Sequence, residues 1–86
     1  MNNFAHKHVR LVMTCNACPE QYDAFIGDEN VGYFRLRHGA FRVDASDGYT
    51  VYEASPQGDG AFESAERDEY LRAGIDALLA DMETRA

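Results

Sequence analysis

VGYFRLRHGAFRVDASDGYTVYEA, residues 31–54, reads as three consecutive strands joined by two tight turns. Asp47-Gly48 is a strong two-residue hairpin signal, because both central positions of such a turn need positive φ, and His38-Gly39 is a weaker version of it. With these turns Phe34 faces Val43, Leu36 faces Phe41, Val43 faces Tyr52 and Arg42 faces Glu53. Apolar residues then meet apolar residues on one side of the sheet. A one-residue slip would send them all to the other side.

Working outward toward the N-terminus, residues 21–26 (QYDAFI) suit a short helix or a strand. The turn after them favours the strand. If Asp28-Glu29-Asn30 is a three-residue hairpin loop with Asn30 in the left-handed region, Gly27 pairs Val31. Asp23 then opposes Arg35 and Phe25 opposes Tyr33, a charge pair and an aromatic pair of the kind cross-strand neighbours favour. Residues 8–14 (HVRLVMT) form the first strand, residues 15–20 (CNACPE) a loop, and Thr14 opposite Gln21 sets Leu11 against Ala24 and Met13 against Tyr22. One parity runs through all five strands. It collects Val9, Leu11, Met13, Tyr22, Ala24, Ile26, Phe34, Leu36, Phe41, Val43, Ala45, Tyr52 and Ala54 on a covered face, with Gly32 leaving space for a helix to approach.

Toward the C-terminus, residues 55–63 (SPQGDGAFE) are a loop with Pro and two Gly, and Ser64 is a good N-cap. Leu71, Ile75, Leu78, Leu79 and Met82 then fall on one helical stripe. The expected fold is α+β: a five-stranded antiparallel β-meander with one C-terminal α-helix packed on one face. It forms a single domain, with a loose N-terminal arm (1–7), the meander (8–54), a loop (55–63) and the helix (64–85).

Composition narrows the function classes. The chain has 86 residues, enough for one core but with little room for a deep cleft. Its net charge of −7, with seven arginines and one lysine as the only basic residues apart from histidine, disfavours general phosphate-backbone binding. No apolar run is long enough to span a membrane, and MNNFAHKH lacks the apolar core of a secretory signal. Together with two cysteines in CxxC spacing, this points to the reducing cytoplasm. Phosphate-loop, HExxH and nucleophile-elbow motifs are missing, so the reading is non-enzymatic.

Three surfaces remain. Cys15 and Cys18 are half of a zinc-ribbon site, and the register brings His38 to the same end of the sheet; a fourth ligand must come from Glu20, Asp59 or a second subunit. The face opposite the helix carries Arg10, Phe25, Tyr33, Arg35, Arg37 and Val51, with Phe25, Tyr33 and Val51 as an apolar row that Arg10 edges. Such a row marks a partner site or a homodimer contact, unless Phe4 and the N-terminal arm fold over it. Arginines with aromatics on an open sheet also suit single-stranded nucleic acid. Against that, Arg35 is matched by Asp23 and Arg42 by Glu53, and the rest of the chain is acidic. Finally, Asp59 to Glu83 holds eight acidic residues and two arginines, the pattern of a solvated helix face.

The runs CNACPEQYDAF (15–25), VGYFRLRHGAFRVD (31–44), VYEASPQGDGAF (51–62) and ERDEYL (66–71) resemble small uncharacterised proteins encoded in phage and prophage genomes. CxxCPEQYD and GYxRLRxGxFRVD are the most specific parts. The resemblance brings no activity. It implies a stand-alone accessory protein of a kind that often acts by binding a host or viral protein. The reading is therefore a small protein-interaction module or inhibitor working through the open sheet face. A small zinc-binding domain and a single-stranded nucleic-acid binder are the alternatives.

Overall fold

A computed structural model describes residues 3–16, 20–37, 40–55 and 64–85. Six strands, β1 (Asn3–His6), β2 (Val9–Asn16), β3 (Glu20–Ile26), β4 (Glu29–Arg37), β5 (Ala40–Ala45) and β6 (Thr50–Ala54), precede one helix, α1 (Ser64–Arg85). The strands lie in sequence order in a single antiparallel sheet. The α+β meander with a C-terminal helix is as expected, but it has six strands and not five. The extra strand comes from the arm expected to be loose: Phe4 pairs Leu11 and packs against the core. Lys7 takes φ 56° to close a two-residue turn with His8. At that turn His6 Nε2 lies 3.0 Å and Lys7 Nζ 2.9 Å from Asp76 Oδ1 of α1. Lys7 first, and then His6, hold the Asp76 carboxyl below its ordinary range. Residues 3–6 therefore widen the sheet as an edge strand and do not cross its open face.

The core follows the expected parity. Val9, Leu11, Met13, Tyr22, Ala24, Phe34, Leu36, Phe41, Val43 and Ala45 are buried under Leu71, Ile75 and Leu78 of α1. Phe34 and Phe41 meet at 6.0 Å, and Phe41 makes edge contacts with Tyr52 and Tyr70 at 6.0 and 6.1 Å. Leu78 lies over Gly32, as the missing side chain there suggested: a Cβ on Gly32 would come within 3.2 Å of Leu78 Cδ2.

Three irregularities change the register, while the residues expected in the core keep their parity. A bulge at Thr14 lets the β2–β3 ladder run on through Cys15↔Gln21 and Asn16↔Glu20, so Cys15 and Glu20 stand in strands where a loop was expected. The β3–β4 turn is Gly27-Asp28, not Asp28-Glu29-Asn30, because Gly27 enters the left-handed region at φ 62° without the strain a Cβ would bring. A bulge at Val31 comes next, and the ladder settles two residues from the expected register, with Asp23↔Tyr33 and Gln21↔Arg35. An even slip preserves parity, so the core does not register it. Between β5 and β6, Val43↔Tyr52 and Arg42↔Glu53 pair as expected. The turn there is wider than two residues, with Ala45 N donating to Tyr49 O at 2.7 Å and Val51 as the extra residue of a bulge. Among the described residues no helix is long and apolar enough to cross a membrane.

Candidate functional site on the uncovered sheet face

Pleat and register set three rungs across the face that α1 leaves open. The first is the Arg10↔Phe25 pair. The Arg10 guanidinium lies 5.1 Å from the Phe25 ring centroid, and its Nη2 donates to the Gly27 carbonyl at 3.2 Å. Arg10 does edge Phe25, as expected. The second rung runs Val12–Asp23–Tyr33–Asp44–Thr50. Tyr33 is its centre, 48% exposed, with a carboxylate directly opposite on each neighbouring strand. Thr50 Oγ1 donates to Asp44 Oδ1 at 2.7 Å. The third rung runs Cys15–Gln21–Arg35–Arg42–Glu53. Arg37 stands two positions beyond Arg35, paired with Ala40.

This lattice corrects three expectations. Phe25 does not oppose Tyr33; its β4 partner is Asn30. Val51, taken up by the β6 bulge, packs against the hydrophobic core, so the apolar row does not form. Tyr33 and Tyr49 are the exposed large hydrophobics among the described residues. Arg35 does not oppose Asp23 either. It stands across from Arg42, and among the described residues it makes no ion pair. Arg42, although its β6 neighbour is Glu53, turns its Nε toward Asp44 Oδ1 at 3.4 Å on its own strand. The arginine charge is thus less internally matched than the sequence suggested. Beside the third rung a shallow groove of about 530 Å³ opens toward β6, with Arg35, Arg42 and Glu53 in its lining.

The zinc expectation rested on Cys15, Cys18 and His38. Cys15 is half-exposed in β2, while Cys18 and His38 lie outside the described residues. Of the fourth ligands considered, Asp59 also lies outside them, and Glu20 is otherwise engaged. Among the described residues no three His, Cys, Asp or Glu side chains gather to hold a metal.

Glu20 is instead the centre of a cluster that sequence reasoning missed. It is 0% exposed. Arg67 of α1 grips it with both arms, Nε to Oε2 at 2.9 Å and Nη2 to Oε1 at 3.1 Å, and Tyr22 Oη donates to Oε2 at 2.5 Å. The bidentate bond to Glu20 raises the Arg67 pKa. Burial above all, and then the hydrogen bond to the Glu20 carboxylate, pushes the Tyr22 hydroxyl well above its ordinary value. A raised tyrosine contributes stability below the ordinary pKa of about 10, and that stability is lost as pH climbs from there toward the folded value. Urea melts between pH 9 and 11 are therefore expected to show wild type losing stability more steeply than Tyr22→Phe. Equal slopes would mean that Tyr22 does not keep its proton in the folded state. The cluster fastens the start of α1 to β3 behind the open face.

The acidic residues Asp68, Glu69, Asp76 and Glu83 are exposed along α1, as a solvated helix face requires. Comparison of the chain with protein-family models, curated proteins and solved structures finds no match.

Proposed function

We propose that the chain is a non-enzymatic protein-binding module acting through the open face of β2–β5, an accessory protein of the type its phage-like sequence runs imply. The observation that carries the reading is Tyr33, half-exposed at the middle of a sheet face that none of the described residues covers, with Arg10, Arg35 and Arg42 on the rungs either side. Tyrosine and arginine are the side chains that most often dominate interface energetics. The antiparallel sheet behind them is held rigid by α1, so binding here costs little ordering entropy. Its regular alternation of basic and acidic rungs favours a partner of defined charge pattern over bulk adsorption.

The test is capture from a lysate of the source organism by tagged wild type and by a Tyr33→Thr, Arg35→Gln double variant. Both replacements are compatible with a strand, and neither residue reaches the core. The expected result is unchanged thermal unfolding with partner affinity down about 30-fold or more, the equivalent of losing one hot spot of ~2 kcal/mol. Equal capture by both proteins would remove this face from the function. The release of Arg35 from Asp23 gives single-stranded nucleic acid one point in its favour. Salt-sensitive binding of oligonucleotides, lost in the same variant, would turn the reading that way.

A further inference from the structure

We propose that the groove beside the third rung receives a side-chain carboxylate from an extended segment of the protein partner, held between Arg35 and Arg42. This rests on the binding-face reading and names the chemistry of the partner. Residues directly opposite on neighbouring strands have Cβ atoms about 4.5–5.5 Å apart, and like charges placed so are unfavourable. Arg35 and Arg42 are opposite in this way, and Asp44, 3.4 Å from Arg42 Nε, is the carboxylate that reaches either of them among the described residues. An anion entering between the two guanidinium forks would relieve the repulsion and satisfy planar donors suited to a carboxylate. The groove, at about 530 Å³, is large enough for one such side chain and its neighbours.

The acidic groups around it choose between a peptide and a polyanion. Glu53 stands across from Arg42 on one side, while Asp44 and Asp23 flank Tyr33 on the next rung. A phosphodiester chain carries a charge at every unit and would set phosphates against those carboxylates. A polypeptide can place one acid at the arginines and basic or neutral residues beside Glu53 and Asp44. In an extended segment side chains two apart share a face, so Lys-x-Glu-x-Lys is the complementary pattern.

The experiment is an NMR titration of the whole chain, at low salt, with the acetylated and amidated peptide Lys-Thr-Glu-Thr-Lys, with its Glu→Gln analogue, and with a twelve-nucleotide oligothymidylate. The expected result is saturable shifts of β4, β5 and β6 amides around Arg35, Arg42 and Glu53 with the Glu peptide. Affinity should be at least tenfold weaker for the Gln analogue, and as weak for the Glu peptide on Arg35→Gln. Removing one of two opposed charges is expected to leave thermal unfolding no lower than wild type. Should the variant fold poorly, the two peptides on wild type decide the matter by themselves. Equal shifts from both peptides, or none from either, overturn the proposal. Preferential shifts from the oligothymidylate overturn it in favour of nucleic acid. If lysate capture still depends on Tyr33 while the peptides fail, the binding face stands and only the carboxylate is lost.

Discussion

Arg67→Met is expected to cost about 3–5 kcal/mol, the range seen when one member of a buried ion pair is removed and the other stays charged. The asymmetry of the cluster makes this the more damaging side to cut. Glu20 is fully buried, whereas the Arg67 side chain is 29% exposed. Without Arg67 the fully buried Glu20 carboxylate loses its bidentate cation beneath α1; without Glu20 the guanidinium can still turn to solvent. Glu20→Gln alone is therefore expected to cost less, within the range of about 1–3 kcal/mol for an unsatisfied buried group. The double variant should be more stable than Arg67→Met by itself, because it removes the stranded charge. A chain of 86 residues has about 4–13 kcal/mol in total. Arg67→Met thus brings the fold near its limit, and with a urea slope of about 1 kcal/mol/M the midpoint falls by roughly 3 M or more. Equilibrium urea unfolding of the two single variants and the double closes a mutant cycle. Single variants of equal and small effect, adding without coupling, would show that the start of α1 is held by its apolar stripe and not by this pair.

The same cluster shows where sequence reasoning reached and where it stopped. Period two was legible throughout: each residue from Val9 to Val43 expected on the covered face is at least partly buried, and Gly32 does admit Leu78. Parity survives any even slip, and for that reason the core could not reveal the two-residue error between β3 and β4. The apparent salt bridge between Asp23 and Arg35 argued for the wrong turn, because a weak surface pair was given more weight than the left-handed freedom of Gly27. The polar face inherited that error. Pairings expected there failed wherever they depended on the turn, while Arg10 met Phe25 because that contact follows from Leu11↔Ala24 alone. Strand β1 was hidden by its length, four residues with Phe4 as the one large apolar side chain. Glu20 was within reach. Period two from Tyr22 places it on the covered face, and a buried acid there calls for a cation from the helix, which Arg67 supplies.

Gly74→Leu is expected to cost about 3 kcal/mol, and even Gly74→Ala about 1 kcal/mol, by overpacking. At an exposed helical site the exchange of Gly for Ala gains about 1 kcal/mol, so the sign itself is diagnostic. A Cβ at position 74 would lie 2.7 Å from Phe34 Cε2 and 2.9 Å from Val43 Cγ2. Both neighbours are buried in the centre of the sheet, and Phe34 is already in ring contact with Phe41, so neither has room to withdraw. Gly32 makes the matching approach from the sheet side, where a Cβ would stand 3.2 Å from Leu78 Cδ2 of α1. Helix and sheet are thus brought together by two glycines, one on each element. Ala80, exposed on the same helix, is the control: Ala80→Gly should destabilise by about 1 kcal/mol while Gly74→Ala destabilises from the opposite exchange. A Gly74→Ala protein more stable than wild type in urea would mean that the helix rides farther from the sheet. The strands pressed by the new side chain are β4 and β5, whose other face carries Tyr33, Arg35 and Arg42. Gly74→Ala should therefore also weaken partner capture, whereas Ala80→Gly, equally destabilising but remote from those strands, should leave it unchanged.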